Sequence, residues 1–400
     1  MLVGSWIRNA EHPAVRRIFP RPTADSPIDK PHLCSYKSSP FWLTSGLFTR
    51  KRSETMDFTD FDAELSDWAQ LQNTHPCTGL LLGNGASRAV WKHFAYDSLF
   101  ELAQTTRNKP LSPTELALFK SMDTENFEPV LSGLKIAMRV NAALTISSSS
   151  PRNRYFAIKE ALIHGIRSAH IPWRLMEPST IAHISQALSQ YETVYSTNYD
   201  LLAYWAVMHG AHPFDDLFDD DATFNLHRTD SHATRVLYLH GGMHLVKHFD
   251  GTTRKLLSSE STLLGSFAVN ALEDVPLFVC EGRSDDKMKI IRGSDYLAYC
   301  HAQLARHQGA LCIFGHALGR QDRHILDAVL QARPQTLAIS ILPRNDAFVQ
   351  HQKRHYHALF EGQHIELQFF NALTHPLGNP RLSVPVTRAG DGVEAKGSQS

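Results

Sequence analysis

Long apolar runs are missing from this chain of 400 residues, and no stretch approaches the roughly 18 residues that cross a bilayer. Net charge is missing too. Lys+Arg and Asp+Glu both number 40, so no global basic field points to nucleic acid and no acidic excess points to a cationic partner. Cysteine pairs are absent: Cys34, Cys77, Cys280, Cys300 and Cys312 are dispersed, and none stands in a C-x-x-C. That argues against a disulfide framework and against a cysteine zinc site. A reduced, cytoplasmic setting is the expectation that follows. The N-terminus carries no continuous apolar core after its charges, so it does not read as a secretory signal.

What is present divides the chain unevenly. Residues 1–55 alternate proline, serine and basic residues without a sustained period, and Arg50-Lys51-Arg52 closes them. They are expected to be a disordered extension, with Met56 as an alternative start; a basic arm is the other reading. Residues 378–400 are rich in Gly, Pro, Ser and Thr and are expected to form a mobile tail. Residues 56–377 are the expected folded domain. There, strand candidates at 79–82, 192–196, 235–239, 275–280, 310–314, 336–342 and 365–370 alternate with helix candidates. The helices are expected at 87–104, 127–144, 154–168, 180–190, 295–308, 322–332 and 345–361. Short buried strands between amphipathic helices predict an α/β fold, a mostly parallel sheet with helices on both faces. The interval 88–191 is too long for one crossover and is expected to hold a helical insertion.

Small, polar and ionisable residues collect where these strands end, the rim on which open α/β sheets bind ligands. After Leu80-Leu81-Leu82 comes Gly83-Asn84-Gly85-Ala86-Ser87. Its glycines permit a tight turn and close approach to a ligand, and Ser87 is placed to cap the next helix. Arg88 stands where a third glycine would complete a dinucleotide fingerprint, so an ordinary strand–turn–helix fits as well. After Thr193-Val194-Tyr195 comes Ser196-Thr197-Asn198-Tyr199-Asp200, in which Asp200 alone would make an N-cap. After Val236-Leu237-Tyr238-Leu239 comes His240-Gly241-Gly242, an imidazole expected to be exposed, with an ordinary value near 6.5 suited to proton transfer. His240, His244 and His248 are spaced by four, which on a helix would make a metal face, but the glycine pair argues against helix there. After Leu311-Cys312-Ile313-Phe314 comes Gly315-His316-Ala317-Leu318, followed by Asp322. The acidic group Asp215, Asp216, Asp219, Asp220 and Asp221 reads as a solvated loop more readily than as a cation site.

The ordered set resembles the sirtuin-like superfamily, whose NAD-binding fold carries Gly-x-Gly-x-Ser, Thr-x-Asn-x-Asp, His-Gly and a Gly-x-x-Leu turn in this order. The forms here look most like bacterial sirtuin-like proteins of NAD-hydrolysing antiviral defence, and like an uncharacterised bacterial branch that shares Asn126-Phe127-Glu128, Val279-Cys280-Glu281-Gly282 and Tyr296-Leu297. The resemblance implies a Rossmann-like sheet and NAD as substrate or ligand. It implies Asn198 and His240 as the catalytic pair, with Gly83, Asn84, Gly85, Ala86, Ser87, Thr197, Asp200, Gly315 and His316 about the cofactor. The function it implies is hydrolysis of NAD to nicotinamide and ADP-ribose. Other expectations are a non-catalytic NAD or ADP-ribose sensor, or a protein deacylase or ADP-ribosyl transferase. The four-cysteine zinc module of the deacylases has no counterpart here: only Cys280 and Cys300 fall between His240 and the strand candidate at 310–314, neither in a C-x-x-C, and no metal is expected. A homo-oligomer is a further expectation, with neither membrane nor specific nucleic-acid binding.

Overall fold

The computed structural model describes residues 61–94, 99–106, 109–228, 232–248, 251–256, 275–279 and 282–385. The chain divides into two units, Met1–Thr55 and Met56–Ser400, and every described residue belongs to the second. The expected N-terminal extension, Cys280 and Glu281 lie outside the described residues, as do residues 386–400.

Ten strands are described: β1 Cys77–Leu82, β2 Thr193–Ser196, β3 Phe214–Asp215, β4 Thr234–Tyr238, β5 Gly241–Lys247, β6 Thr253–Lys255, β7 Val275–Phe278, β8 Ala310–Phe314, β9 Thr336–Ile341 and β10 Glu366–Asn371. Seven form one sheet in the order β10-β9-β8-β1-β2-β4-β3, with every neighbouring pair parallel. Set aside the two-residue edge strand β3, and the remaining six run 3-2-1-4-5-6 in chain order, the arrangement of dinucleotide-binding α/β sheets. The order reverses between β1 and β8, which makes that junction the switch point where such sheets open a crevice.

The apolar runs explain the sheet. Leu80, Leu81, Val194, Val236, Leu237, Leu311, Ile313, Leu337 and Ile339 are fully buried, as strands covered on both faces must be. The fold is therefore α/β and Rossmann-like, with helices around a parallel sheet. Helix α1 Trp68–Thr74 precedes β1, and between β1 and β2 every described element is helical: α2 Asn84–Val90, α3 Leu99–Thr105, α4 Pro113–Ser121, α5 Phe127–Ala143, α6 Ser149–Ala169 and α7 Pro178–Leu188, with two short 3-10 turns. Tyr155, Ile158 and Leu162 recur at helical spacing on α6 and are its buried stripe. The later helices are α8 Leu202–His209, α9 Ser284–Arg292, α10 Asp295–Leu304, α11 Arg323–Ala332 and α12 Asp346–Leu359.

Three local expectations change. The single helix over 87–104 is broken after Val90, because Trp91 turns extended and its indole N–H is drawn to Ala169 O at 3.0 Å. The strand at 275–278 joins β5 and β6 in a separate three-stranded antiparallel sheet, order β6-β5-β7. Its partner β5 begins at the glycine pair after His240. Gly241 takes φ 71°, and a Cβ there would lie 2.2 Å from Leu277 O, so the residue both turns the chain and pairs with β7. Beyond residue 378, where the tail was expected to begin, Pro380–Leu382 makes another 3-10 turn; Leu382 is buried and the Val384 N–H donates to Val90 O.

Candidate functional site

Register brings the four motifs to one level. Leu82 pairs with Ser196 and with Phe314, and Ser196 pairs with Tyr238. The next residues, Gly83, Thr197, Leu239 and Gly315, therefore leave the sheet side by side, with His240 one step further. A cavity of about 600 Å³ opens on this rim, within the range of small-molecule sites. Asn84, Gly85, Thr197, Asn198, Asp200, His240, Gly315 and His316 line it; Gly83, Ala86 and Ser87, also expected about the cofactor, do not.

The glycine turn serves packing before anything else. The Gly83 N–H donates to Phe314 O, the Gly85 N–H to Gly315 O and the Ala86 N–H to Gly83 O. Gly315 sits at φ 69°, and a Cβ on it would lie 2.6 Å from Ala86 N. The two turns interlock through bare backbone, and these three amides are consumed inside the protein. The close approach to a ligand expected of this turn is therefore not made through those three groups.

Asn198 is held from one side only. Its Nδ2 donates to Gly83 O at 3.0 Å and to Ser87 Oγ at 2.9 Å. Ser87 Oγ in turn donates to Asp200 Oδ2 at 2.5 Å, and Asp200 Oδ1 accepts the Leu202 N–H at 2.9 Å. Ser87 thus lies inside α2 and braces Asn198 instead of capping the helix. Burial pushes the Asp200 carboxyl up, against the Ser87 hydroxyl and the Leu202 amide that favour its charge. Thr197 ties its hydroxyl to Leu82 O at 3.0 Å. The amide oxygen of Asn198 is buried and has no hydrogen-bond partner among the described residues. A buried acceptor left open in a cavity wall is costly unless a donor arrives.

His240 departs from the exposed imidazole expected at a strand end: it is 4% exposed. Its carbonyl takes the Val279 N–H at 2.8 Å, which draws β7 over it. Burial first, then the Lys287 ammonium, pushes its pKa well below the ordinary imidazole value, so it is neutral at neutral pH. Its Nε2 lies 2.8 Å from His324 Nε2, and His324 Nδ1 lies 3.0 Å from Ser284 Oγ. Burial lowers His324 to about 4. The helical metal face through His244 and His248 does not form, because the chain there is strand β5 and the His244 ring is buried against Tyr204 and Tyr238.

The sequence singled out neither His324 nor Lys287, and Asp322 only as a neighbour of the glycine turn. Lys287 is buried and bonds Asp322 Oδ1 at 2.9 Å. Burial acts to raise the Asp322 carboxyl, but His240, Lys287 and His316 outweigh it and hold it down at about 2. The cavity therefore contains an ionised carboxylate besides Asp200. His316 accepts the Leu318 N–H at Nδ1, which leaves its proton on Nε2, 3.7 Å from Asp322 Oδ2. His240, Asp322 and His324 each bring one ligand atom within 4.8 Å of the others. Two imidazole nitrogens on one tetrahedral zinc would stand about 3.3 Å apart. Here they are at hydrogen-bond distance, and an ammonium already occupies the carboxylate. The acidic loop has no such openness: Asp216 pairs with Lys255 at 2.7 Å and Asp215 accepts the Leu217 N–H at 3.0 Å.

No curated protein matches the chain. One solved structure similar to it is a Sir2 homologue mutant in complex with 2'-O-acetyl ADP ribose, at 13% identity over 74% of this chain and 98% of that one, with a TM-score of 0.29. Residues 80–377 match the model of a family described as a domain of unknown function, DUF4917. That match takes in the glycine turn, Asn198, His240 and Asp322 and most of the length of the chain, which belongs to the DUF4917 family.

Proposed function

We propose that the cleft binds NAD as a sirtuin-like site and that the protein hydrolyses it to nicotinamide and ADP-ribose. The observation that carries this reading is the open acceptor of Asn198 on the same cavity wall as a neutral His240, at the switch point of a sheet with dinucleotide-fold order. Bound NAD supplies a bond between ribose and a cationic ring, and breaking it builds oxocarbenium character on the sugar.

The residues divide the remaining work. Asn198 Oδ1 accepts a hydroxyl of the ribose or of the attacking water. Gly83, Ser87 and Asp200 fix that amide so that its nitrogen cannot turn toward the ligand. His240, neutral at working pH, takes a proton from the same hydroxyl or water. Asp322, ionised, stabilises positive charge developing in the cleft. The bare backbone at Gly85 and Gly315 lets the ligand lie against the rim. The setting we propose, bacterial antiviral defence, rests on the motif resemblance.

Purified protein incubated with NAD, with products resolved by chromatography, tests the reading. We expect free nicotinamide and ADP-ribose. His240→Ala and Asn198→Ala each lower turnover by about 100-fold or more. Wild-type turnover in either variant would reject the assignment. Calorimetric NAD binding with no product would favour the sensor, and transfer of ADP-ribose to an acyl group or side chain would favour the transferase.

A further inference from the structure

We propose that His324 is a positioning residue for His240: through their Nε2–Nε2 hydrogen bond it holds the His240 proton on Nε2, reserves Nδ1 as the base, and receives the Nε2 proton when Nδ1 takes one up. This rests on the reading of His240 as the base of the cleft.

At 2.8 Å the two Nε2 atoms share one hydrogen. Because Nε2 of His240 is spent on His324, only Nδ1 is left to meet a ligand. The far side of His324 decides which ring owns the shared hydrogen. Ser284 Oγ already accepts the His324 backbone N–H at 2.8 Å and lies 3.0 Å from Nδ1. Ser284 is half-buried, so its own hydrogen can turn to solvent while the oxygen accepts both N–H groups. With Nδ1–H of His324 directed at Ser284, His324 Nε2 carries a lone pair, and the shared hydrogen sits on His240. Backbone fixes the ring's base: His324 sits in the first turn of α11, and its carbonyl lies 3.1 Å from His301 Nε2.

The arrangement answers an electrostatic problem. Lys287, Asp322 and His316 face His240, and burial with the nearby ammonium makes a lasting imidazolium there costly. One proton entering at His240 Nδ1 is balanced by one passing from His240 Nε2 to His324 Nε2. A third passes from His324 Nδ1 to Ser284 Oγ, whose own proton leaves to water. Charge ends outside the cavity, and no group is oxidised or reduced.

The full chain labelled with 15N-histidine tests this. Side-chain proton–nitrogen correlations near neutral pH, assigned with His240→Ala and His324→Ala, report each tautomer directly. We expect His240 as the Nε2–H form in the wild type. We expect a mixture in His324→Leu and in Ser284→Ala, and the Nε2–H form retained in His324→Gln, whose amide oxygen accepts. Turnover of NAD should fall about 10-fold or more in His324→Leu, part of the scale expected for the base itself, and recover largely in His324→Gln. An Nδ1–H tautomer in the wild type, or a His240 tautomer indifferent to both His324→Leu and Ser284→Ala, overturns the proposal. If His324→Leu unfolds the chain, Ser284→Ala, at a half-buried position, decides alone. A wild type that leaves NAD intact removes the proposed function but not the tautomer result; cleavage with an indifferent tautomer removes this inference only.

Discussion

Ser87 is the residue on which the geometry of Asn198 turns. Its hydroxyl accepts from Asn198 Nδ2 and donates to Asp200 Oδ2, so the carboxylate orients the amide through the serine. Without the hydroxyl, the amide can flip and present N–H groups where an acceptor is required. Ser87→Ala should therefore lower NAD turnover by roughly 10-fold with little change in melting temperature, and Ser87→Thr should restore part of it, as steady-state kinetics would record. Equal kinetics in Ser87→Ala and the wild type would mean that the brace is ornamental. The brace was not legible in the sequence. Gly-x-Gly-x-Ser shows a small polar residue at the start of a helix, and local chemistry favours a cap; only the parallel pairing of β1 with β2 brings Asp200, more than a hundred residues away, against it.

Elements carry the next level. The interlock of the turns after β1 and β8 fixes the rim, and it leaves no room for a side chain at Gly315: the backbone is left-handed there and a Cβ would meet Ala86 N at 2.6 Å. Gly315→Ala should cost about 2 kcal/mol or more, seen as a lowered denaturation midpoint with an unchanged m-value. A midpoint equal to wild type would show that the turn rearranges freely. Most strands were readable because buried parallel strands are continuous apolar runs, as at Leu80-Leu81-Leu82 and Leu311-Cys312-Ile313. Strand β5 was not. Its glycine pair and its mixed Met243-His244-Leu245 pattern give no alternation, and its partners β6 and β7 are supplied by later sequence. Lys287 and His324 were unreadable for a related reason. They sit on α9 and α11, and only the packing of those helices brings them to the strand ends.

At the scale of the molecule, buried neutral histidines set the response to acid. His170 sits at about 4 and His375 at about 3, both through burial. His170 Nε2 accepts the Leu201 N–H and His375 Nδ1 accepts the Leu377 N–H, so protonating either ring breaks a buried hydrogen bond. In the unfolded chain both titrate near 6.5. Above that value neither state binds the proton, and stability is full. As pH falls from about 6.5 toward 4, the unfolded chain takes up protons that the folded one refuses, and stability declines by several kcal/mol. Asp322, held at about 2, adds its loss at lower pH still, as the folded carboxylate is finally protonated. Urea midpoints should therefore drop steeply between pH 6.5 and 4; a flat profile there would contradict the neutral burial of these rings. The α/β class followed from the alternation of strand and helix patterns, whereas the candidate site was proposed from the order of four short motifs, each weak by itself and informative only as a set.

The most direct measurement is a crystal structure of the His240→Ala protein soaked with NAD. One dinucleotide is expected across the β1/β8 rim, with a ribose hydroxyl or an ordered water donating to Asn198 Oδ1 and the space left by the imidazole beside the same sugar. NAD bound away from Asn198, or a cleft that stays empty at saturating NAD, would contradict it.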